Sequence, residues 1–239
     1  PYLEDEVKQL GFSIDSSFIT GISITGTITD CIKLNLNLRC ASQVLYSLKS
    51  FNADNADDIY NNLVSYPWES ILPDPGYFSI TSNVNNPTIN NSMFANLRVK
   101  DAIVDRIRDK RGSRPSTGSE LTGTVIHLFW KNEDATIFVD TTGDSLARHG
   151  YRKIPGLAPM LEGLAAATIY ATRWDKVSPF INPMCGSGTL AIEAAMIATN
   201  RVPGLFRTNY AFMHVQGYDE MVYLKEDALL EQQITDVPE

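Results

Sequence analysis

The sequence is poor in the residues that define several protein classes. Its three cysteines, Cys31, Cys40 and Cys185, stand far apart and form no Cys-x-x-Cys knuckle, which excludes a disulfide scaffold. The three histidines, His127, His149 and His214, are equally scattered, so no metal site is expected. No apolar run approaches the roughly 18 residues that span a bilayer, and no basic-then-apolar leader opens the chain. A reducing, cytoplasmic setting without membrane contact is the expectation. Gly-Lys-Ser and Gly-Lys-Thr are absent, which excludes a phosphate-binding P-loop. Positive charge is short as well: 20 Lys and Arg face 28 Asp and Glu, a net charge of -8. Such a surface is not built as a whole to coat nucleic acid or membrane. Pro1 is not an initiator methionine, so the chain is expected to be part of a longer one.

What is present is enough for one large domain or two smaller ones: 239 residues, 44 % of them hydrophobic. Leu3, Val7 and Leu10 share one face of a first helix that Gly11 can end. Residues 18–25 and 42–50 alternate as strands, while 30–38 fits helix or strand. Asn55 with Asp57 and Asp58 opens a helix to about Ser65, its acids placed at the positive end of the helix dipole. A strand is expected over 77–84. The longest helix runs from Asn91 to about Arg111, with Phe94, Leu97, Ile103, Val104 and Ile107 as its apolar face. The asparagines 83, 85, 86, 90 and 91 before it read as loop chemistry, and 112–118 as a loop. Strands over 121–130 and 136–140 form a hairpin, so residues 1–142 read as an α+β region with antiparallel strands.

From about 144 the texture changes. An Ala-rich helix over 159–173, a short strand over 178–182, a glycine turn and a helix over 189–200 form the opening of an α/β domain. The turn is Asn182-Pro183-Met184-Cys185-Gly186-Ser187-Gly188-Thr189. Glycines there let backbone N–H groups approach a ligand, and the following helix offers a positive N-terminus. Gly186, Gly188 and Ala191 also fit a loose dinucleotide fingerprint. The acid that should hold a ribose about 20 residues on is missing, since Leu205, Phe206 and Arg207 stand there. The competing reading is a glycine turn that binds nothing. Cys185 as a nucleophile lacks a local activating group and reads better as a small packing residue.

The stretch from Phe180 to Ala195 resembles the first motif of class I S-adenosylmethionine-dependent methyltransferases. It is similar above all to bacterial RNA methyltransferases that carry a THUMP domain, such as the large-subunit rRNA guanine-N2 methyltransferases. Asp140 to Arg152 and Ala158 to Ala167 extend the resemblance, as do Asn91-Ser92 and Val99 to Asp105. The resemblance implies a THUMP-containing RNA-binding region over 1–142, then the beginning of a Rossmann-like methyltransferase domain over 143–239, incomplete. It implies S-adenosylmethionine held by Asn182, Pro183, Cys185, Gly186, Ser187, Gly188 and Thr189. Tyr151, Arg152, Ala158, Pro159 and Glu162 would approach it from the preceding segment. Asn182 replaces the family's usual Asp and gives up attraction for the cofactor's ammonium; Leu161 stands where a basic residue is frequent.

Residues 98–114 carry seven basic and three acidic side chains, a net +4 inside an acidic chain. Ser92, Arg98, Lys100, Arg106, Lys110, Arg111 and Arg114 are the candidate contacts to RNA, rRNA by the resemblance. Asp101, Asp105 and Asp109 could instead pair with these bases on a solvated face. His149 reads as structural, and Trp68, Trp130 and Trp174 as core. The class methylates an exocyclic amine with an Asn/Asp-Pro-Pro-aromatic motif, and no Pro-Pro pair occurs in this sequence. No catalytic residue is therefore assigned, and the piece itself is expected to be inactive. The implied function is rRNA guanine-N2 methylation; the alternatives are a non-catalytic RNA-binding module and a DNA N6-adenine methyltransferase. Oligomeric state is not legible.

Overall fold

Short polar side chains fix where four of the helices start, because each takes up backbone N–H groups that the first turn leaves without partners. In the computed structural model, which describes residues 1–89, 91–154 and 158–236, the chain begins with α1 (Tyr2–Gln9), β1 (Ser16–Phe18), β2 (Gly21–Ser23) and α2 (Ile28–Asn37). It continues through β3 (Leu45–Asn52), α3 (Ala56–Leu63), β4 (Tyr77–Asn85), α4 (Ser92–Arg111), β5 (Ser116–Thr117), β6 (Thr124–Lys131) and β7 (Asp134–Asp140). Three helices follow: α5 (Glu162–Thr172), α6 (Thr189–Ala198) and α7 (Glu220–Gln232). Thr27 with Asp30 and Asn55 with Asp58 form reciprocal capping boxes at α2 and α3. Asn91 and Asp219 cap α4 and α7. The capping box at Thr27 resolves the ambiguity over 30–38 in favour of helix.

Two compact units result, one formed by Leu45–Gly143 with Asn209–Tyr218, the other by Pro1–Val44, Asp144–Thr208 and Asp219–Glu239. This grouping differs from the division at 142 expected from sequence. The first 44 residues group with the chain after 144, where the Arg39 guanidinium donates to the Arg201 carbonyl and the His149 ring meets the Arg39 carbonyl.

In the unit around Leu45–Gly143, five strands lie in the order β3-β7-β6-β4-β5. The expected hairpin is β6–β7, antiparallel, turning through Asn132 at φ 53°. The expectation of antiparallel strands throughout is corrected at β4, which runs parallel to β6 and to the short β5. A helix between β4 and β6 carries the chain back to the starting edge, and such a crossover makes parallel neighbours. One sheet face and the helices bury Ile59, Leu63, Trp68, Phe78, Val99, Ile103, Ile107, Ile126, Leu128 and Trp130. The inward stripe of α4 is Ala95, Val99, Ala102, Ile103 and Ile107; Phe94 and Leu97, expected inside, lie off that stripe and are exposed. Asn83 and Asn85 belong to β4 rather than to a loop, Asn91 is the α4 cap, and Asn90 lies outside the described residues.

In the other unit, the strand expected over 18–25 is instead part of a tight hairpin over 16–23, which turns at Ile19 and Thr20 and leaves Phe18 and Ile19 exposed. Residues 178–182 form no strand. Among the described residues no other strand pairs with them, and a lone strand has no ladder to satisfy its backbone. Helices α5 and α6 pack through Ile169, Ala194 and Ile197. At Gly204 a side chain would run into the Leu36 backbone, which sets how closely the 203–206 turn approaches α2.

Arg106 on α4 forks onto Glu69 at 3.0 and 2.5 Å and holds its carboxyl down to about 2. A depressed carboxyl lends stability above its unfolded value, about 4.3 for Glu, and withdraws it as pH falls towards the folded value. The unit containing β3 to β7 should therefore lose stability between about pH 4.5 and pH 2. Urea midpoints measured across that window in the wild type and in Arg106→Gln check it: the slope should flatten in the variant, and an unchanged slope refutes the assignment.

Candidate functional site

The glycine turn expected from sequence is built as an open loop at the start of α6. Gly186 and Gly188 have φ of 53° and 79°, left-handed values that side-chain-bearing residues rarely adopt. The Gly188 N–H donates to the Cys185 carbonyl at 2.8 Å and closes the turn. Among the described residues no protein acceptor takes the N–H groups of Cys185, Gly186 or Ser187, and nothing lies within 4 Å of the place a Gly186 side chain would fill. The loop thus presents unpaired donors over open space at a helix N-terminus, a setting suited to an anionic or oxygen-rich group. Asn182 at the loop's start keeps its amide nitrogen buried without a partner. Cys185 is exposed, so the expectation that it packs is corrected: the loop's left-handed glycines turn it outward.

Arg152 joins this loop to the preceding segment. Its guanidinium donates to the Thr189 hydroxyl at 3.0 Å and the Met160 carbonyl at 2.8 Å, and pairs with Glu162 at 3.2 Å. Thr189 and Glu162 open α6 and α5, so one side chain gathers both helix starts. Next to it is a cavity of about 360 Å³, walled by Arg148, Gly150 and Arg152 on one stretch and Pro159, Met160, Leu161 and Glu162 on the other. Of the residues singled out from sequence, Arg152, Pro159 and Glu162 line it, Ala158 sits exposed at its edge, and Tyr151 is turned inward. The loop 182–188 does not line it. Sequence reasoning misses Arg148, Gly150 and Met160, and only their position in the resembling stretch could have marked them.

Behind Arg152 lies a buried polar cluster. His149 is wholly buried, with Nδ1 2.6 Å from a Glu193 carboxylate oxygen and Nε2 3.1 Å from the Arg39 carbonyl. The Arg39 guanidinium donates to the Arg201 carbonyl at 2.7 Å and stands 3.9 Å from Glu193. Burial pushes the Tyr151 phenol up, and the Glu193 and Glu162 carboxylates add to the shift. Both ring nitrogens of His149 are thus taken up by protein groups. Among the described residues no group of three or more His, Cys, Asp or Glu is placed to hold a metal, and no helix is long and apolar enough to cross a membrane.

The basic residues of α4 divide into two sets. Arg98 lies over the Tyr60 ring at 4.8 Å and pairs with Asp57 at 2.5 Å. Arg106 is taken by Glu69, and Arg111 donates to the carbonyls of Glu69, Leu72 and Pro73. These three hold α4 to α3 and to the 67–73 segment. Lys110 has a loose contact with Asp109 at 3.6 Å, Lys100 is half-buried, and Ser92 and Arg114 are exposed. The acids that compete for the arginines, Asp57 and Glu69, come from other elements and could not be paired by helical spacing.

Three family models match the chain. The RlmL ferredoxin-like domain matches residues 1–45, the THUMP domain 53–140, and the RMKL-like methyltransferase domain 149–236. The Ribosomal RNA large subunit methyltransferase K/L of Magnetococcus marinus is 36 % identical over 91 % of this chain and 31 % of its own length. That of Syntrophotalea carbinolica is 38 % identical over 89 % of this chain and 30 % of its own. The chain thus spans about a third of the length of these curated relatives. The crystal structure of SMU.472, described as a methyltransferase and complexed with SAH, superimposes with a TM-score of 0.85 at 29 % identity, covering 99 % of this chain and 62 % of that one.

Replacing Arg152 by Gln removes a pairing in which both side chains are largely buried and leaves the Glu162 carboxylate uncompensated. Breaking a buried pair costs roughly 3 kcal/mol. Chemical unfolding should register that loss, together with faster proteolysis within 182–189. A change under about 0.5 kcal/mol, the scale of a surface substitution, would refute the role given to Arg152.

Proposed function

We propose, from the premise that this chain belongs to the THUMP-containing RMKL-like methyltransferase family, that it is the RNA-binding and cofactor-entry portion of an S-adenosylmethionine-dependent rRNA methyltransferase. The observation that carries the reading is the loop itself: two left-handed glycines, unpaired backbone donors and open space at the start of α6. Residues 182–189 hold the cofactor, with Arg152, Pro159 and Glu162 on the neighbouring cavity wall and Tyr151 and Ala158 beside it. The cofactor supplies an activated methyl group on a sulfonium. The chain's own residues bind and orient: backbone N–H groups of 185–187 offer donors, Arg152 fixes the two helix starts, and Asn182 adds an amide.

The target on this reading is an exocyclic amine, the N2 of a guanine in large-subunit rRNA, in a cytoplasmic enzyme. Direct transfer breaks the sulfur–methyl bond, forms a nitrogen–methyl bond and releases a proton from the amine. Acceptors that orient the amine come from outside this chain, since it contains no Pro-Pro pair. The strand that would pair with 178–182 comes from outside it too; Ile181 and Met184 are 81 % and 90 % exposed, apolar surface that such pairing would cover. RNA is met by Lys100, Lys110, Arg114 and Ser92, whereas Arg98, Arg106 and Arg111 serve mainly to hold α4 in place.

Titration calorimetry of the full-length protein with S-adenosylmethionine tests the loop. Gly186→Val and Gly188→Val should each weaken binding at least tenfold, because each adds backbone strain of about 1–2 kcal/mol and a side chain where the ligand approaches. Wild-type affinity in both variants refutes the site. For RNA, the triple change of Lys100, Lys110 and Arg114 to Glu should lower the salt slope of rRNA binding by roughly 2, at about 0.7–0.9 for each phosphate left without its cation. An unaltered slope removes this face from the interface. Methylation of duplex DNA in preference to rRNA would favour the DNA adenine reading.

A further inference from the structure

The stretch Arg148-His149-Gly150-Tyr151-Arg152-Lys153 carries three permanent cations and no acid. Its backbone is fixed from behind. The His149 ring is wholly buried against Glu193 and the Arg39 carbonyl. Gly150 stands at φ 86°, and a side chain there would press on the Phe206 carbonyl at 3.1 Å. The Tyr151 ring meets Phe206 edge-on, 6.0 Å between centroids. With these three residues held, Arg148 is carried at a set position on the wall of the cavity beside the glycine loop.

The charges on that wall do not cancel. Glu162 is engaged by Arg152 at 3.2 Å, and those two balance one another. Arg148 is exposed, and among the described residues no carboxylate pairs with it, so the cavity keeps a net positive charge. Arg152 gives Nε to Glu162 and Nη2 to Met160 and Thr189, while its two Nη1 hydrogens have no acceptor among the described residues. Two guanidiniums with donors to spare, on the wall of one cavity, suit an oxyanion, and phosphate above all. Opposite them Pro159, Met160 and Leu161 are apolar, with Met160 and Leu161 38 % and 46 % exposed. Some 360 Å³ is within the range of small-ligand sites. Cations on one wall and aliphatic side chains on the other match a nucleotide unit, its phosphate on the first and its sugar on the second.

Two oxyanions come into question: the carboxylate of the cofactor's amino-acid end and a phosphate of the RNA. The arrangement favours the RNA. Loop 182–188 contributes nothing to the cavity wall, so a ligand seated on the loop is not thereby seated in the cavity. Arg148 and Lys153 are both exposed, within reach of a polymer crossing the surface. Arg152 touches Thr189, the first residue of α6, so the cavity stands about one guanidinium away from the end of the loop. A strand that delivers a base to a methyl donor on that loop lays its backbone within a nucleotide's length of the cavity.

We propose that the cavity is a phosphate subsite for substrate RNA, in which Arg148, backed by the free Nη1 of Arg152, holds a backbone phosphate next to the target nucleotide. This rests on the reading of the chain as part of an rRNA methyltransferase with its cofactor on 182–189. The contact positions the strand and reads no base. It therefore acts on RNA affinity and leaves cofactor affinity as it is.

The full-length protein, deproteinised large-subunit rRNA and S-adenosylhomocysteine supply the test. Arg148→Gln should weaken rRNA binding about tenfold and lower its salt slope by about 0.7–0.9, the amount carried by one phosphate. Arg148→Lys, which keeps the charge without the fork, should keep the slope. S-adenosylhomocysteine affinity, measured by calorimetry, should be the same in all three proteins. A second measurement needs no variant: phenylglyoxal labelling of wild-type Arg148, read by mass spectrometry, should be blocked by rRNA and not by S-adenosylhomocysteine. Wild-type protein that binds rRNA with Arg148 still labelled, or an unaltered slope in Arg148→Gln, overturns the subsite and leaves the methyltransferase reading standing. Protection by S-adenosylhomocysteine, or its weaker binding to Arg148→Gln, assigns the cavity to the cofactor's carboxylate and overturns the subsite as well. No rRNA binding by the wild type overturns the RNA reading, and the subsite with it.

Discussion

A single buried residue, Arg39, carries the organisation of the discontinuous unit. Its N–H is held by Glu6 of α1, its carbonyl by His149, and its guanidinium by the Arg201 carbonyl and the field of Glu193. Four stretches of chain far apart in sequence meet at one residue that is 5 % exposed. A charge at that depth needs an opposite charge near, and here Nη2 donates to Arg201 while Nη1, without a hydrogen bond, stands 3.9 Å from Glu193. The same requirement forces Glu6, Glu193 and His149 into fixed places. Buried ions of this kind are weak stabilisers compared with apolar residues of equal volume. What they give is a preferred arrangement, since sliding any one stretch breaks further buried hydrogen bonds of Arg39, Glu6 or His149.

That constraint explains why the sequence conceals where the first 44 residues pack while it reveals the motifs. Helix starts are local: Asn55 and Asn91 mark theirs in the sequence, while the equally local cap at Thr27 shows only in the structure. The glycine loop is local too, because left-handed backbone and a helix start are written in consecutive positions, and its geometry at Gly186 and Gly188 agrees with that reading. The Glu6–Arg39–His149–Glu193 cluster spans almost the whole chain, and nothing in the spacing of those four residues links them. Segment 178–182 departs from expectation for the opposite reason. Its local pattern is sound, but a strand is a property of two segments, and no second one is present among the described residues.

The α4 helix makes the same point for charge. Read along the helix, its basic residues look like a solvated or phosphate-binding face with acids spaced to pair in sequence. In space, the strongest partners are Glu69 and Asp57, from other elements, and the carbonyls at the end of the 67–73 segment. Arg111 satisfies three backbone acceptors that would otherwise end a turn unpaired. A basic residue count therefore overstates the charge α4 can offer to RNA. The cations that keep their field for a polymer are the lysines, Arg114 and the exposed Arg108, which has a single contact to Asp105, rather than the forked Arg106 or the engaged Arg98 and Arg111.

Arg152 in one unit and Arg106 and Arg111 in the other use planar, several-fold donation to organise the chain. This use of arginine has a bearing on the cofactor loop. Arg152 uses three of its five N–H donors on Met160, Thr189 and Glu162, which leaves the two of Nη1. Its contribution to the loop is geometric: it sets the distance between the starts of α5 and α6, and with it the mouth of the cavity beside them. Within the loop itself the groups able to bind are the backbone donors of 185–187 and the Asn182 amide, none of which is charged. Affinity in such a site depends on how rigidly neutral donors are held, which makes the packing behind α6, rather than any single contact in front of it, the feature that governs the loop.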